Sequence, residues 1–166
     1  MSSSKYYHTA LGVYDIYSPA PDKLLVIHKT QGPYAHRYDL PGGSFEPQEG
    51  LSDTLMREWE EETGLNVTHF KQLGVATFRY PWNFEQFNYN KHIAILNEVS
   101  QVSGTITTQV RQFEDQDSFG AVFVSLGKLN KMNSSPLVLK AKEYLESGVF
   151  TATDEQWLNW QVLEER

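Results

Sequence analysis

Cysteine is absent from all 166 residues, which removes disulfides, thiol nucleophiles and cysteine-ligated zinc or iron–sulfur sites and fits a reducing compartment. No apolar run reaches the 18 or more residues of a membrane span. The polar start, Met1 to Lys5, lacks the apolar segment of a secretory signal. Cations are scarce as well: 14 Lys and Arg against 21 Asp and Glu leave a net charge of −7. Without a basic patch there are no counterions to release from a nucleic-acid backbone, which argues against general nucleic-acid binding. The expectation is a cytoplasmic protein whose partner is a small anionic molecule, made tolerable to an acidic chain by a bound cation. Internal repeats are missing too. Length and an apolar content of 40% fit one domain over residues 6–166 behind a disordered serine stub at 1–5.

What is present is concentrated between Gly43 and Leu65, GSFEPQEGLSDTLMREWEEETGL. Glu58, Glu61 and Glu62 fall at i, i+3 and i+4, so a helix projects them from one face. Taken alone, such a run reads as a solvated face. Like charges at this spacing nevertheless cost about 0.2–0.5 kcal/mol each, and acids in a last helical turn oppose the dipole by about 0.3–1 kcal/mol more. A hard cation would reverse both signs. Leu55, Met56 and Trp59 supply an apolar stripe, Gly64-Leu65 reads as the helix stop, and Ser52 or Asp53 is placed to cap the start. Ahead of the helix, Leu40-Pro41-Gly42-Gly43 is a turn that leaves backbone carbonyls open as oxygen donors of the kind Mg²⁺ or Mn²⁺ takes.

The spacing G-x5-E-x7-R-E-U-x-E-E-x-G-U, with U apolar, resembles the signature of the Nudix hydrolases. It is met by Gly43, Glu49, Arg57, Glu58, Trp59, Glu61, Glu62, Gly64 and Leu65. A chance match is expected in fewer than about one in 10⁸ windows. Trp59 departs from the family's usual aliphatic residue but still supplies an apolar body. The resemblance implies an α/β/α sandwich with a mixed central sheet, and hydrolysis of a nucleoside diphosphate linked to another moiety, with Mg²⁺ or Mn²⁺ as cofactor. It implies that Glu58, Glu61 and Glu62 ligate metal, with the Gly43 carbonyl and Glu49 as further candidates. Arg57 is implied as an orienting residue whose fork suits a bidentate pair with Glu49. The general base falls among Glu61, Glu58 and Glu114, with Asp117 the alternate to Glu114. Two other readings are a non-catalytic Nudix-like binding or regulatory domain, which would be expected to lose box carboxylates, and isopentenyl diphosphate isomerase chemistry, for which no cysteine is available.

Elsewhere, strands are expected at Tyr6–Tyr17, Lys23–His28, Tyr38–Leu40, Val67–Arg79, Tyr89–Val102 and Ala121–Ser125, and a structural helix at about Ser135–Glu146. Pro19–Asp22 reads as a hairpin-like turn. His36 and Arg37, just before the glycines, are candidates to reach a diphosphate. Arg79 to Phe87 reads as an aromatic connection in which Arg79, Tyr80, Trp82 and Phe84 are candidates to hold a base, or else form core or a subunit interface. Pro81, sixteen positions after Leu65, is similar to the proline of ADP-ribose pyrophosphatases, and Tyr80 lies near the tyrosine of dinucleoside polyphosphate hydrolases. In the tail, Leu158, Trp160 and Val162 alternate like an edge strand, whereas Thr153 with Gln156 reads as a capping box. A homodimer is compatible with the aromatic content. The box reads only diphosphate and metal, so it does not select among nucleotide substrates.

Overall fold

Two long strands carry the sheet. The computed structural model describes residues 4–106 and 118–164. In it β5 (Leu65–Phe84) and β6 (Phe87–Gly104) form an antiparallel hairpin paired from Leu65↔Gly104 to Phe84↔Phe87. β1 (Tyr7–Ile16) lies parallel to β6, from Tyr7↔Tyr89 to Ile16↔Glu98. On its other edge β1 takes β4 (Gly42–Ser44), antiparallel, with Val13↔Gly43 and Tyr14↔Gly42. A short β8 (Asp154–Gln156) adds parallel to β5, completing a mixed sheet of order β4-β1-β6-β5-β8. A second sheet, order β3-β2-β7, joins Tyr38–Asp39, Lys23–Lys29 and Ser118–Ser125.

Helix α1 (Leu51–Thr63) and helix α2 (Pro136–Ser147) pack on opposite faces because strand side chains alternate. Val13, Leu25 and Ile27 join Leu55 and Trp59 of α1 in one core. Their neighbours Tyr14, Leu24 and Val26 join Leu137, Val138 and Ala141 of α2 in the other. That is an α/β/α arrangement, as expected, and it explains the unbroken apolar run of β2, which is covered on both faces. Helix α2 also starts where its sequence says: the Ser135 hydroxyl accepts the Val138 N–H at 3.2 Å, and Pro136 occupies the first turn.

Four expectations change. Helix α1 is preceded by Gly50, not by Ser52 or Asp53, and the Asp53 carboxylate accepts the Gly50 N–H at 3.0 Å from inside the first turn. Pro19–Asp22 makes no hairpin, since β1 and β2 belong to different sheets. The aromatic stretch Arg79–Phe87 is not a connection: both strands run on to the tip, where Glu85 has φ 52°. The tail does add an edge strand, but at Asp154–Gln156, before the alternating residues, and Thr153 caps no helix. Its hydroxyl donates to Glu155 and accepts from the Lys140 ammonium. Among the described residues no helix is long and apolar enough to cross a membrane.

Asp15 and His92 are among the buried ionisable groups. Asp15 accepts hydrogen bonds from Trp59 Nε1 at 2.9 Å and Asn97 Nδ2 at 3.0 Å. His92 sits between the Tyr34 and Tyr14 hydroxyls at 2.7 and 2.8 Å. Burial pushes the Asp15 carboxyl up to about 7, against the lowering effect of its two donors. Burial, with a smaller effect of Lys29, drives the His92 imidazole down to about 3. The two signs oppose. Between the ordinary 3.8 and about 7, folded Asp15 keeps a proton that the unfolded chain releases, so its contribution is lost as pH rises through that window. Below the ordinary 6.5, folded His92 refuses a proton that the unfolded chain accepts, so its contribution is lost as pH falls. Urea unfolding as a function of pH is expected to separate them. Relative to wild type, Asp15→Asn gains stability with rising pH and His92→Gln gains it with falling pH, at up to about 1.4 kcal/mol per pH unit.

Candidate active site

The glycine turn is hemmed in on two sides, Gly42 by β1 and Gly43 by Glu58 of α1. A Cβ on Gly42, at φ 145°, would run into the Val13 carbonyl oxygen and come within 2.7 Å of Tyr14 Cα. A Cβ on Gly43 would lie 2.5 Å from Glu58 Oε1. The approach is then fixed by hydrogen bonds. Glu62, 4% exposed, accepts the Gly42 N–H at 2.8 Å. Asp15 ties both partners, because its N–H donates to the Pro41 carbonyl at 3.0 Å while its carboxylate holds the Trp59 indole.

Arg57 organises the outer side. Its Nε and Nη2 donate to the two oxygens of Glu49 at 2.7 and 2.8 Å, and Nη2 also reaches the Ser44 carbonyl at 3.1 Å. This is the bidentate pair expected from sequence, and it fastens the loop ahead of the helix to its second turn. Nη1 turns to the acidic face, donating to Glu58 Oε1 at 2.9 Å and Glu61 Oε2 at 3.4 Å. Hydrogen bonds from Arg57 hold the Glu49 carboxyl well below its ordinary value, at about 2. Glu49 is thus spoken for by Arg57, whereas Glu58, Glu61 and Glu62 share one helix face bordered by the glycine turn. Among the described residues no three acidic or imidazole groups are already gathered around a single point suited to an ion.

The other sequence-predicted residues lie elsewhere. His36, at φ 62°, closes its loop by donating its backbone N–H to the Lys29 carbonyl at 2.8 Å. Arg37 is buried against the tail, its guanidinium 4.0 Å from the Trp160 ring centroid and its Nη1 donating to the Gln161 carbonyl at 2.7 Å. Arg79 pairs with Asp154 at 3.1 Å, and the buried Tyr80 hydroxyl accepts from Asn90 at 2.8 Å. Trp82 and Phe84 stack on each other at 4.7 Å and 4°, with the His8 ring edge-on to both. Two rings at that separation leave no slot for a third between them. Helix α1 packs on the opening residues of β5, from Leu65 to Phe70, and Arg79 lies nine residues beyond, about 30 Å along a strand. Glu114 and its alternate Asp117 lie outside the described residues. Sequence reasoning missed Asp15 and Asn97. The available signal was Trp59 itself, since a buried indole N–H needs an acceptor, together with an acid inside the apolar β1.

A strand, a tight glycine turn and a helix whose Glu58 and Glu62 lie against that turn, set in this sandwich, form the strand–loop–helix expected of a pyrophosphohydrolase of nucleoside diphosphate derivatives. The family model of the NUDIX domain matches residues 6–146, and the chain belongs to the Nudix family. No curated protein matches it in sequence. Among solved structures it is similar to a MutT Nudix hydrolase from Burkholderia pseudomallei, with TM-score 0.63 and 20% identity over 82% of this chain and 97% of that one. A mutator MutT protein from Bacillus halodurans gives TM-score 0.62 and 16% identity over 93% and 95%. The Nudix domain of NrtR from Shewanella oneidensis, solved in complex with ADP-ribose, gives 0.58 and 16% over 85% and 88%. At these identities the structures establish the fold.

If Arg57 holds Glu49 as described, Arg57→Lys removes the fork. NMR titration of labelled glutamate side chains is then expected to show the Glu49 carboxyl returning from about 2 towards its ordinary 4.5. A Glu49 titration unchanged in the variant would contradict the pairing.

Proposed function

We propose that this chain hydrolyses the diphosphate linkage of a nucleoside diphosphate joined to another moiety, with Glu58, Glu61, Glu62 and the Gly43 carbonyl holding Mg²⁺ or Mn²⁺, and that residues 6–166 act as one Nudix domain. The observation that carries this reading is the close seat of α1 on the glycine turn, where a Cβ on Gly43 would lie 2.5 Å from Glu58 Oε1 and displace that carboxylate. The donor set fits the ion: carboxylate and carbonyl oxygens from a rigid turn and one helix face suit a hard divalent cation. When bound, such an ion neutralises the diphosphate and lowers the pKa of a water molecule.

The chain's own residues do the rest. Glu62, bound to the Gly42 N–H, ties the turn to the helix. Arg57 holds the preceding loop through Glu49 and lends a positive charge to Glu58 and Glu61, so the acidic face survives before any cation arrives. Glu61, with 40% of its side chain exposed against 16% for Glu58, is the carboxylate we assign to taking the proton from the attacking water. Glu114 is retained as a second candidate from its sequence position. The substrate is a small nucleotide-type anion, and the seat of α1 addresses its diphosphate only.

The test is phosphate or pyrophosphate release across a panel of nucleoside triphosphates, ADP-ribose, dinucleoside polyphosphates and nucleotide sugars, with Mg²⁺ or Mn²⁺. Glu61→Gln is expected to lower the rate on the preferred class by about 10²–10⁴-fold with the fold intact. Gly43→Ala, which drives a methyl into Glu58, is expected to weaken activation by the metal. Nucleotide binding without turnover on any class, in either metal, would sink the hydrolase assignment and leave a binding domain.

A further inference from the structure

Across the sheet from α1 lies a cavity of about 800 Å³ that the proposed hydrolysis does not use. Its walls are the outer flank of α2, with Leu139, Lys140 and Glu143, the loop at Lys131, and the tail from Glu155 to Leu163. The tail lies beyond the stretch matched by the family model, which ends at residue 146. The volume falls within the range of about 300–1,000 Å³ typical of small-molecule sites.

The charges in this cavity are distributed unevenly. Both carboxylates are engaged: Glu155 accepts from the Thr153 hydroxyl at 2.8 Å and from Trp157 Nε1 at 3.2 Å, and Glu143 is 3.8 Å from the Lys140 ammonium. Two cations instead rest on rings. The Lys131 ammonium lies 5.6 Å from the Trp157 centroid, and the Arg37 guanidinium lies on Trp160. Arg37 is 4% exposed, and among the described residues it meets no carboxylate. Its Nε has no hydrogen-bond partner. A desolvated guanidinium with one carbonyl and one ring face for company is short of an anion. Trp157 stands edge-on to Trp160, at 5.9 Å and 89°, and offers a flat apolar wall beside those cations.

We propose that this cavity is a second binding site, separate from the acidic helix, for a small aromatic anion: a flat ring against Trp157 and a phosphate or carboxylate taken by Arg37 and Lys131. Arg37 is thereby assigned to this site and not to the diphosphate. Lys131 leaves its ring for the anion when the ligand's own ring replaces it, so the exchange preserves both stacking and charge pairing.

The probe is adenosine monophosphate in excess chelator, followed by tryptophan fluorescence and calorimetry. With metal removed, the acidic face of α1 repels phosphate, so binding there is suppressed. Expected is saturable binding at least about tenfold tighter than inorganic phosphate, weakened about tenfold by Lys131→Ala, restored by Lys131→Arg, and unchanged in Glu58→Gln and Glu61→Gln. Trp157→Phe, which keeps a ring on the wall, is expected to bind, and Trp157→Ala is not. No binding, equal binding of inorganic phosphate, or binding abolished by the α1 substitutions and indifferent to Lys131 would each overturn the second site. Failure here leaves the hydrolase assay untouched, because the two readings are tested on different residues and with opposite metal conditions.

Discussion

The seating of α1 against the glycine turn depends on Asp15, which fastens three elements at one point. Its backbone N–H holds the Pro41 carbonyl, and its side chain holds the Trp59 indole of α1 and the Asn97 amide of β6. Trp59 is fully buried, so the rotation of α1 about its axis is set by where that indole must point. Glu58 and Glu62, at one and three positions from it, are thereby aimed at the turn. A Trp in place of the family's usual aliphatic residue thus adds a directional bond to a packing position. A carboxyl buried to that degree is stable in the interior only because protonation or donated hydrogen bonds spare it a bare charge.

The acidic helix was legible in the sequence because its constraint is local. Spacing on one helix, a glycine stop and a turn that must lack side chains are all written within Gly43–Leu65. The α2 helix and the doubly buried β2 were legible for the same reason. Non-local partners were not. That Pro19–Asp22 links two sheets depends on β1 choosing β6 and β4 as neighbours, which nothing in the turn encodes. Pro81 and the ring-rich run beside it looked like a connection, yet Pro81 is accommodated past the point where β8 ends at the outer edge of β5, so its missing N–H costs no ladder bond there. The destinations of Arg37 and Arg79 were invisible for the same reason: their partners, Trp160 and Asp154, lie 123 and 75 residues away.

Arg57 resolves a conflict that the helix would otherwise face alone. Three carboxylates on one face repel each other, and an arginine in the same helix, one residue from Glu58 and four from Glu61, lowers that repulsion without leaving its pair with Glu49. A lysine could neutralise the face or hold the loop, but its single ammonium cannot span both as the five N–H groups of a guanidinium do. The arrangement also explains why Glu49 differs from the other acids of the box. With both oxygens bound to Arg57, it ties the loop ahead of the helix to α1.

The two faces of the sheet meet at the turn without sharing a side chain. Val13 points into the core of α1 and Tyr14, its neighbour, into the core of α2, yet both border Gly42. From Tyr14 a continuous line of contacts runs through His92 to Tyr34, whose ring meets the edge of Trp160 at 5.8 Å. Trp160 in turn donates to the Pro33 carbonyl and supports Arg37. The glycine turn is therefore backed by the same ring cluster that anchors the tail. Loosening the tail would remove the support behind Tyr14, while the acidic face would keep its own bonds through Arg57, Asp15 and the Gly42 N–H.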